Sequence, residues 1–211
     1  MGLGDLECFK IEKGKSLVRV FNALPSGEAI DVYIGGVPFF KDVKYKEFTP
    51  YIYLIKDIHK IDVYKSGTTE VLIRDSLPLP KDQVFTMSTT GNSGEESMIF
   101  VEESLDYTPS KEKAIARTIN IAPNLGSVNL LYNNNPGVNN ITYRDQTPYV
   151  YLPAGQYKIS LEDSTTGNEI ISQNFEFKIN RIYSMYIIQK NDTDFEMVQS
   201  VDGNTYVCRE N

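Results

Sequence analysis

Chemistry at a protein site needs a nucleophile, a proton carrier or a set of metal ligands, and this chain supplies few of these. Its single imidazole, His59, has no second histidine to work with in 211 residues, which removes most acid–base and metal arrangements. His59 shares strand phase with Ile61 and Val63, and structural packing in an aromatic-sized slot accounts for it. The nucleophile elbow, the Walker loop and the dinucleotide glycine fingerprint are all absent. Gly91-Asn92-Ser93-Gly94 has no lysine after it and reads as a turn. Asp192, Asp194 and Glu196 alternate, so a strand would place them on one face as a conceivable weak calcium set. The EF-hand spacing fails at Gly203, however, and solvated loop charge is the simpler reading. Glu95-Glu96 and Glu102-Glu103 are read likewise, as solubilising charge beside a strand edge. No catalytic residue, metal site or cofactor is assigned, and the chain is expected not to be an enzyme.

Cys8 and Cys208 stand near opposite ends and form no C-x-x-C pair. Three fates are open to them: free thiols, an intrachain bridge, or an intermolecular disulfide linking successive subunits. Two free or partly buried thiols are the simpler reading; the intermolecular link suits a polymer or a coat and belongs to the assembly hypothesis below. The remaining candidates are tyrosines. Thr49-Pro50-Tyr51-Ile52-Tyr53-Leu54 returns as Thr147-Pro148-Tyr149-Val150-Tyr151-Leu152, 98 positions later. If Ile52 and Leu54 face a core, Tyr51 and Tyr53 point the other way, as do Tyr149 and Tyr151, forming an interaction face for proteins or sugars. In the reverse register the tyrosines are the buried phase. Arg19 and Arg117 also stand 98 apart, with Asp31 and Asn129 equivalent on the next strand. An ion pair in the first copy and a hydrogen bond in the second are expected between them.

The elements that carry these residues form two copies of one unit. The same shift aligns Asn22 with Asn120, Pro25 with Pro123, Tyr45 with Tyr143, Lys60-Ile61 with Lys158-Ile159, and Met87 with Met185. Within each copy, short apolar or alternating runs recur every 8 to 12 positions, separated by turns such as Gly35-Gly36 and Ser66-Gly67. No helical pattern of useful length appears. The fold class is all-β: two tandem immunoglobulin-like antiparallel β-sandwich domains of about 100 residues each. The expected division is an arm over 1–15, a first sandwich over 16–103, a linker over 104–113, a second sandwich over 114–201 and a tail over 202–211. Leu6 to Glu12 alternates as one strand that must find its partner elsewhere. Asp202-Gly203 is expected to turn the tail back through Thr205 to Cys208.

Composition narrows the partners. A net charge of −7 opposes phosphate backbones and anionic lipid, so nucleic acid is excluded as a partner class. No apolar run approaches the ~20 residues that span a bilayer, and direct membrane insertion is not expected. Met1 to Glu7 lacks the basic and apolar regions of a secretory leader, which implies cytoplasmic synthesis or removal of a leader.

The run Val18-Arg19-Val20-Phe21-Asn22-Ala23-Leu24-Pro25, then Ile30-Asp31-Val32-Tyr33, Thr49-Pro50-Tyr51, and Pro153-Ala154-Gly155-Gln156-Tyr157 in the second copy, resembles the bacterial domain-of-unknown-function family 4397. The resemblance covers Ser16 to about Lys190. It implies tandem all-β repeats in an envelope, secreted or spore-associated setting, and brings no activity. Where that family commonly has His-Ala-Ser-Pro, this chain has Asn22-Ala23-Leu24-Pro25 and Asn120-Ile121-Ala122-Pro123. The expected function is a structural or interaction protein of a bacterial surface layer, spore coat or appendage, self-associating through its terminal strands and cysteines or binding other coat proteins. The alternative is an extracellular glycan- or ligand-binding module.

Overall fold

A computed structural model describes residues 8–208. Eight strands form the first half: β1 (Lys15–Phe21), β2 (Ile30–Ile34), β3 (Val37–Val43), β4 (Ile52–Ile55), β5 (Asp57–Lys65), β6 (Val71–Leu79), β7 (Val84–Thr90) and β8 (Ser97–Glu102). Eight more repeat them: β9 (Lys113–Asn120), β10 (Val128–Tyr132), β11 (Asn135–Ile141), β12 (Val150–Pro153), β13 (Gly155–Asp163), β14 (Glu169–Phe177), β15 (Ile182–Gln189) and β16 (Phe195–Val201).

Each half is a sandwich of two four-stranded sheets. The orders are β4-β1-β7-β8 over β3-β2-β5-β6, and β12-β9-β15-β16 over β11-β10-β13-β14. Pairing is antiparallel except for one parallel pair per half, β1 with β7 and β9 with β15. Gly35 and Gly36 turn the β2–β3 hairpin with positive φ, 59° and 80°. The second copy makes the equivalent turn with Asn133 and Asn134, φ 51° and 62°, since asparagine tolerates this conformation best after glycine.

Three cores, rather than two, hold the molecule. Val18, Val20, Val32, Ile61, Val63 and Met87 are among the residues filling the first sandwich, and Ala116, Leu130, Ile159, Leu161, Met185 and Phe177 the second. The third core lies between the halves, where Phe21, Ile99 and Val101 meet Ile119, Ile121, Tyr186 and Ile188. This explains why both phases of β1, β7, β9 and β15 are buried. Their odd and even residues serve different cores, and the apolar runs in the sequence predict strands covered on both faces for this reason. The outer faces of the other two sheets carry polar side chains such as Asp62 and Arg74, which pair at 3.3 Å.

His59 packs as the sequence predicts, and its partner defines its role. Its Nε2 lies 2.8 Å from the Ile55 carbonyl. In the second copy the Tyr157 hydroxyl donates to the Pro153 carbonyl at 3.0 Å, both residues being 98 positions on. Each ring therefore holds the bend at which the chain crosses from one sheet to the other.

Candidate functional site

Four buried charged side chains, Arg19, Glu103, Arg117 and Asp202, collect in the seam between the sandwiches, at the edge of the third core. Arg19 projects from the outer face of β1. Its Nε donates to Thr86 Oγ1 at 2.8 Å, its Nη2 to Glu103 Oε1 at 3.3 Å, and its Nη1 to the Val201 carbonyl of the other half at 3.3 Å. Arg117 repeats this from β9: Nε to Ser184 Oγ at 3.0 Å, and Nη2 to the Glu102 carbonyl of the first half at 2.7 Å. Each arginine thus reaches the same strand end in the opposite copy, the reciprocity of a two-fold interface.

A buried acid completes each side. Glu103 and Asp202 are both 0% exposed. Glu103 accepts from Tyr51 at 2.8 Å, from Thr86 and from the Gly203 amide. Asp202 Oδ2 accepts from Tyr149 and Ser184, both at 2.8 Å. The guanidinium groups lie against the tyrosine rings, Arg19 4.8 Å from the Tyr51 centroid and Arg117 4.6 Å from that of Tyr149, a favourable cation–π placement. Gly203 is needed here because a Cβ would sit 2.6 Å from Tyr51 Cζ.

Burial sets the protonation of the cluster. The Asp202 carboxyl is pushed up to about 7, first by desolvation and then by the charge of Glu103, with the two arginines opposing. Desolvation also raises the Tyr51, Tyr149 and Tyr186 hydroxyls, which stay neutral; Tyr51 and Tyr149 donate to the two acids, while the Tyr186 hydroxyl has no hydrogen-bond partner. For Arg19 and Arg117, burial alone would weaken the charge, but Glu103 and Asp202 respectively lead the groups that outweigh it, and both are raised.

These contacts revise several expectations. Tyr51 and Tyr149 do project away from their own sandwich cores, but the face they enter is the seam, so they are covered rather than offered to a partner. Tyr53 and Tyr151 remain open, 38% and 53% exposed. Arg19 does not pair with Asp31, because β1 and β2 belong to different sheets. Asp31 instead bonds Lys41 at 3.0 Å. Glu103, expected to be solubilising, is fully buried. Glu196 is held by Tyr45 and Lys46 of the other half at 3.2 and 3.1 Å, so it is not available to a calcium set with Asp192 and Asp194. Among the described residues no three acidic, histidine or cysteine side chains converge on a metal position.

The cysteines also depart from expectation. Cys8 and Cys208 are bonded to each other, Cα atoms 4.9 Å apart, which leaves neither thiol for a neighbouring subunit. The arm does find its strand partner elsewhere: Phe9 forms a parallel bridge with Val207, its amide donating to the Tyr206 carbonyl at 2.7 Å. Leu6 and Glu7 of the expected arm strand lie outside the described residues. The tail makes a 3₁₀ turn over Gly203–Tyr206 in place of a hairpin. Two surface grooves stand at equivalent positions, one of about 570 Å³ with Ala154, Gly155, Glu176 and Phe177 in its wall and one of about 410 Å³ with Lys56, Asp57, Pro78 and Leu79.

The sequence matches the family described as Domain of unknown function (DUF4397) over residues 16–131 and again over 116–207. The chain belongs to this family. The overlapping matches agree with two tandem DUF4397 copies. Nothing among curated proteins matches the chain. Among solved structures, the CBMbc module (family CBM26) from Eubacterium rectale Amy13K in complex with maltoheptaose is 10% identical, with a TM-score of 0.25 over 90% of this chain and 99% of that one. A candidate cell adhesion protein from Bacteroides uniformis ATCC 8492 is 12% identical, with a TM-score of 0.25 over 91% and 98%. Likenesses this distant lend this DUF4397 chain no function.

Proposed function

We propose that this DUF4397 chain is a non-enzymatic interaction module of the bacterial exterior, acting as one rigid body of two sandwiches. The observation that carries the reading is the Cys8–Cys208 bridge, which spans the whole described chain. Such bridges form and persist in oxidising compartments and are rare where glutathione keeps thiols reduced. The desolvated seam supports the same reading. A buried polar network with cross-bonded arginines fixes the angle between the halves, and whatever the surface binds meets preformed geometry. Surface labelling of intact cells, combined with alkylation of thiols before and after reduction, tests it. The expected result is label outside the cytoplasmic membrane and no free thiol before reduction. A protein confined to the cytoplasm with both thiols free overturns it.

The open ring of Tyr151 favours one second reading, in which it stacks on a sugar face. Retention on a glycan array that is lost in Tyr151→Ala supports it. No retained glycan, or retention unchanged by that substitution, removes it.

A further inference from the structure

The linker and the paired chain ends occupy equivalent places on the two halves. Tyr107 of the linker lies against Tyr149, ring centroids 4.5 Å apart. Phe9, 98 positions earlier, lies 6.2 Å from Tyr51. Tyr206, one repeat after Tyr107, packs against Phe9 at 6.1 Å. One half of the seam is therefore covered by continuous backbone. The other half is covered by a strap assembled from two ends.

The tail end of the strap is anchored to the body, Asn204 Nδ2 donating to the Ser104 carbonyl at 2.8 Å and Thr205 Oγ1 accepting from the Ile182 amide at 2.9 Å, whereas the arm end has few fastenings. Phe9 and the tail exchange two backbone hydrogen bonds, to the Tyr206 carbonyl at 2.7 Å and from the Cys208 amide at 2.8 Å. The Tyr53 hydroxyl donates to the Lys10 carbonyl at 2.5 Å. The Phe9 ring is still 37% exposed. The disulfide is the one covalent closure between the two ends.

We propose that the Cys8–Cys208 strap is a redox-operated cover over Tyr51 and the Arg19–Glu103 pair. A dithiol reductant passes two electrons and two protons to the bridge, leaving two thiols and becoming a disulfide itself. The arm then lifts from the anchored tail, taking the Phe9 ring off Tyr51 and opening this half of the seam. The Tyr149 half stays closed, because its cover is linker backbone that no reductant cuts.

The test uses the full chain, oxidised against reduced and alkylated, with tetranitromethane nitration read at each tyrosine by mass spectrometry. Nitration of Tyr51 is expected to rise about tenfold or more, the signature of a local opening, with Tyr149 unchanged. Tryptic cleavage after Lys10 and Lys13 accelerates in parallel. Cys8→Ser with Cys208→Ser reproduces the reduced pattern without alkylation, its fold checked by circular dichroism. Tyr51 equally protected in both states overturns the proposal. So does a matching rise at Tyr149, which would mean general loosening.

Discussion

The two halves of the seam use the same parts with one methylene of difference. Glu103 reaches Arg19 directly at 3.3 Å, while the shorter Asp202 stays 3.9 Å from Arg117. Arg117 takes the Glu102 carbonyl instead, and Asp202 depends on the hydroxyls of Tyr149 and Ser184. Its Oδ1 has no hydrogen-bond partner. Duplication preserved the roles but not the pairing strength. The first half carries the firmer ion pair, and the second carries an acid that takes up a proton near neutral pH.

The largest expected effect that distinguishes the halves is from Glu103→Ala. It leaves Arg19 buried without its acid and costs about 3–5 kcal/mol in urea unfolding, as breaking a buried pair does. Asp202→Ala is expected to cost about 1–3 kcal/mol, the range for an unsatisfied buried partner. Equal losses would show that the methylene is immaterial. Next, reducing the Cys8–Cys208 bridge should cost about 2–4 kcal/mol by chain entropy, measured by unfolding with and without reductant.

Gly203→Ala drives a Cβ into Tyr51 and should cost about 1–3 kcal/mol from overpacking. Ser104→Ala, at the equivalent place in the linker, should change stability by less than about 0.5 kcal/mol. The halves also differ in their response to pH. The folded Asp202 carboxyl titrates about 7 against 3.8 in its ordinary setting. The native state therefore keeps a proton that the unfolded chain has released, and stability falls as pH rises from about 4 to about 7. The slope from this group is at most about 1.4 kcal/mol per pH unit. Asp202→Asn should flatten that window in melting temperatures recorded across pH. An unchanged slope would place the titration elsewhere.

Much of the fold was legible, because hydrophobic alternation and a constant shift record sheet faces directly. Runs such as Leu17–Ala23 predict burial on both faces, and the seam supplies the second face. The site was less legible. Glu103 sits in a stretch rich in charge and turn residues, where solvation is the ordinary expectation. The β15–β16 hairpin pairs one residue further on than β7–β8: Glu102 lies opposite Phe85, and Val201, 99 positions on, lies opposite Tyr183. At a rigid shift of 98, Glu103 therefore falls opposite Val201 rather than Asp202. Allowing one insertion near Gly91–Glu96 would have paired the two acids. Phe9 was legible in principle, since it precedes Tyr107 by the repeat length, but one aromatic in an arm carries no sign of the strand that receives it. The fate of Cys8 and Cys208 depended on where 200 residues of chain return, which local pattern does not encode.

The 4.9 Å between the Cys8 and Cys208 Cα atoms also has a mechanical meaning. A pull applied through the backbone on either side of these two residues travels across a sulfur–sulfur bond and never enters the strands between them. The sandwiches hang beside the line of tension like a pendant on a closed link, and only a broken link would put their hydrogen bonds under load.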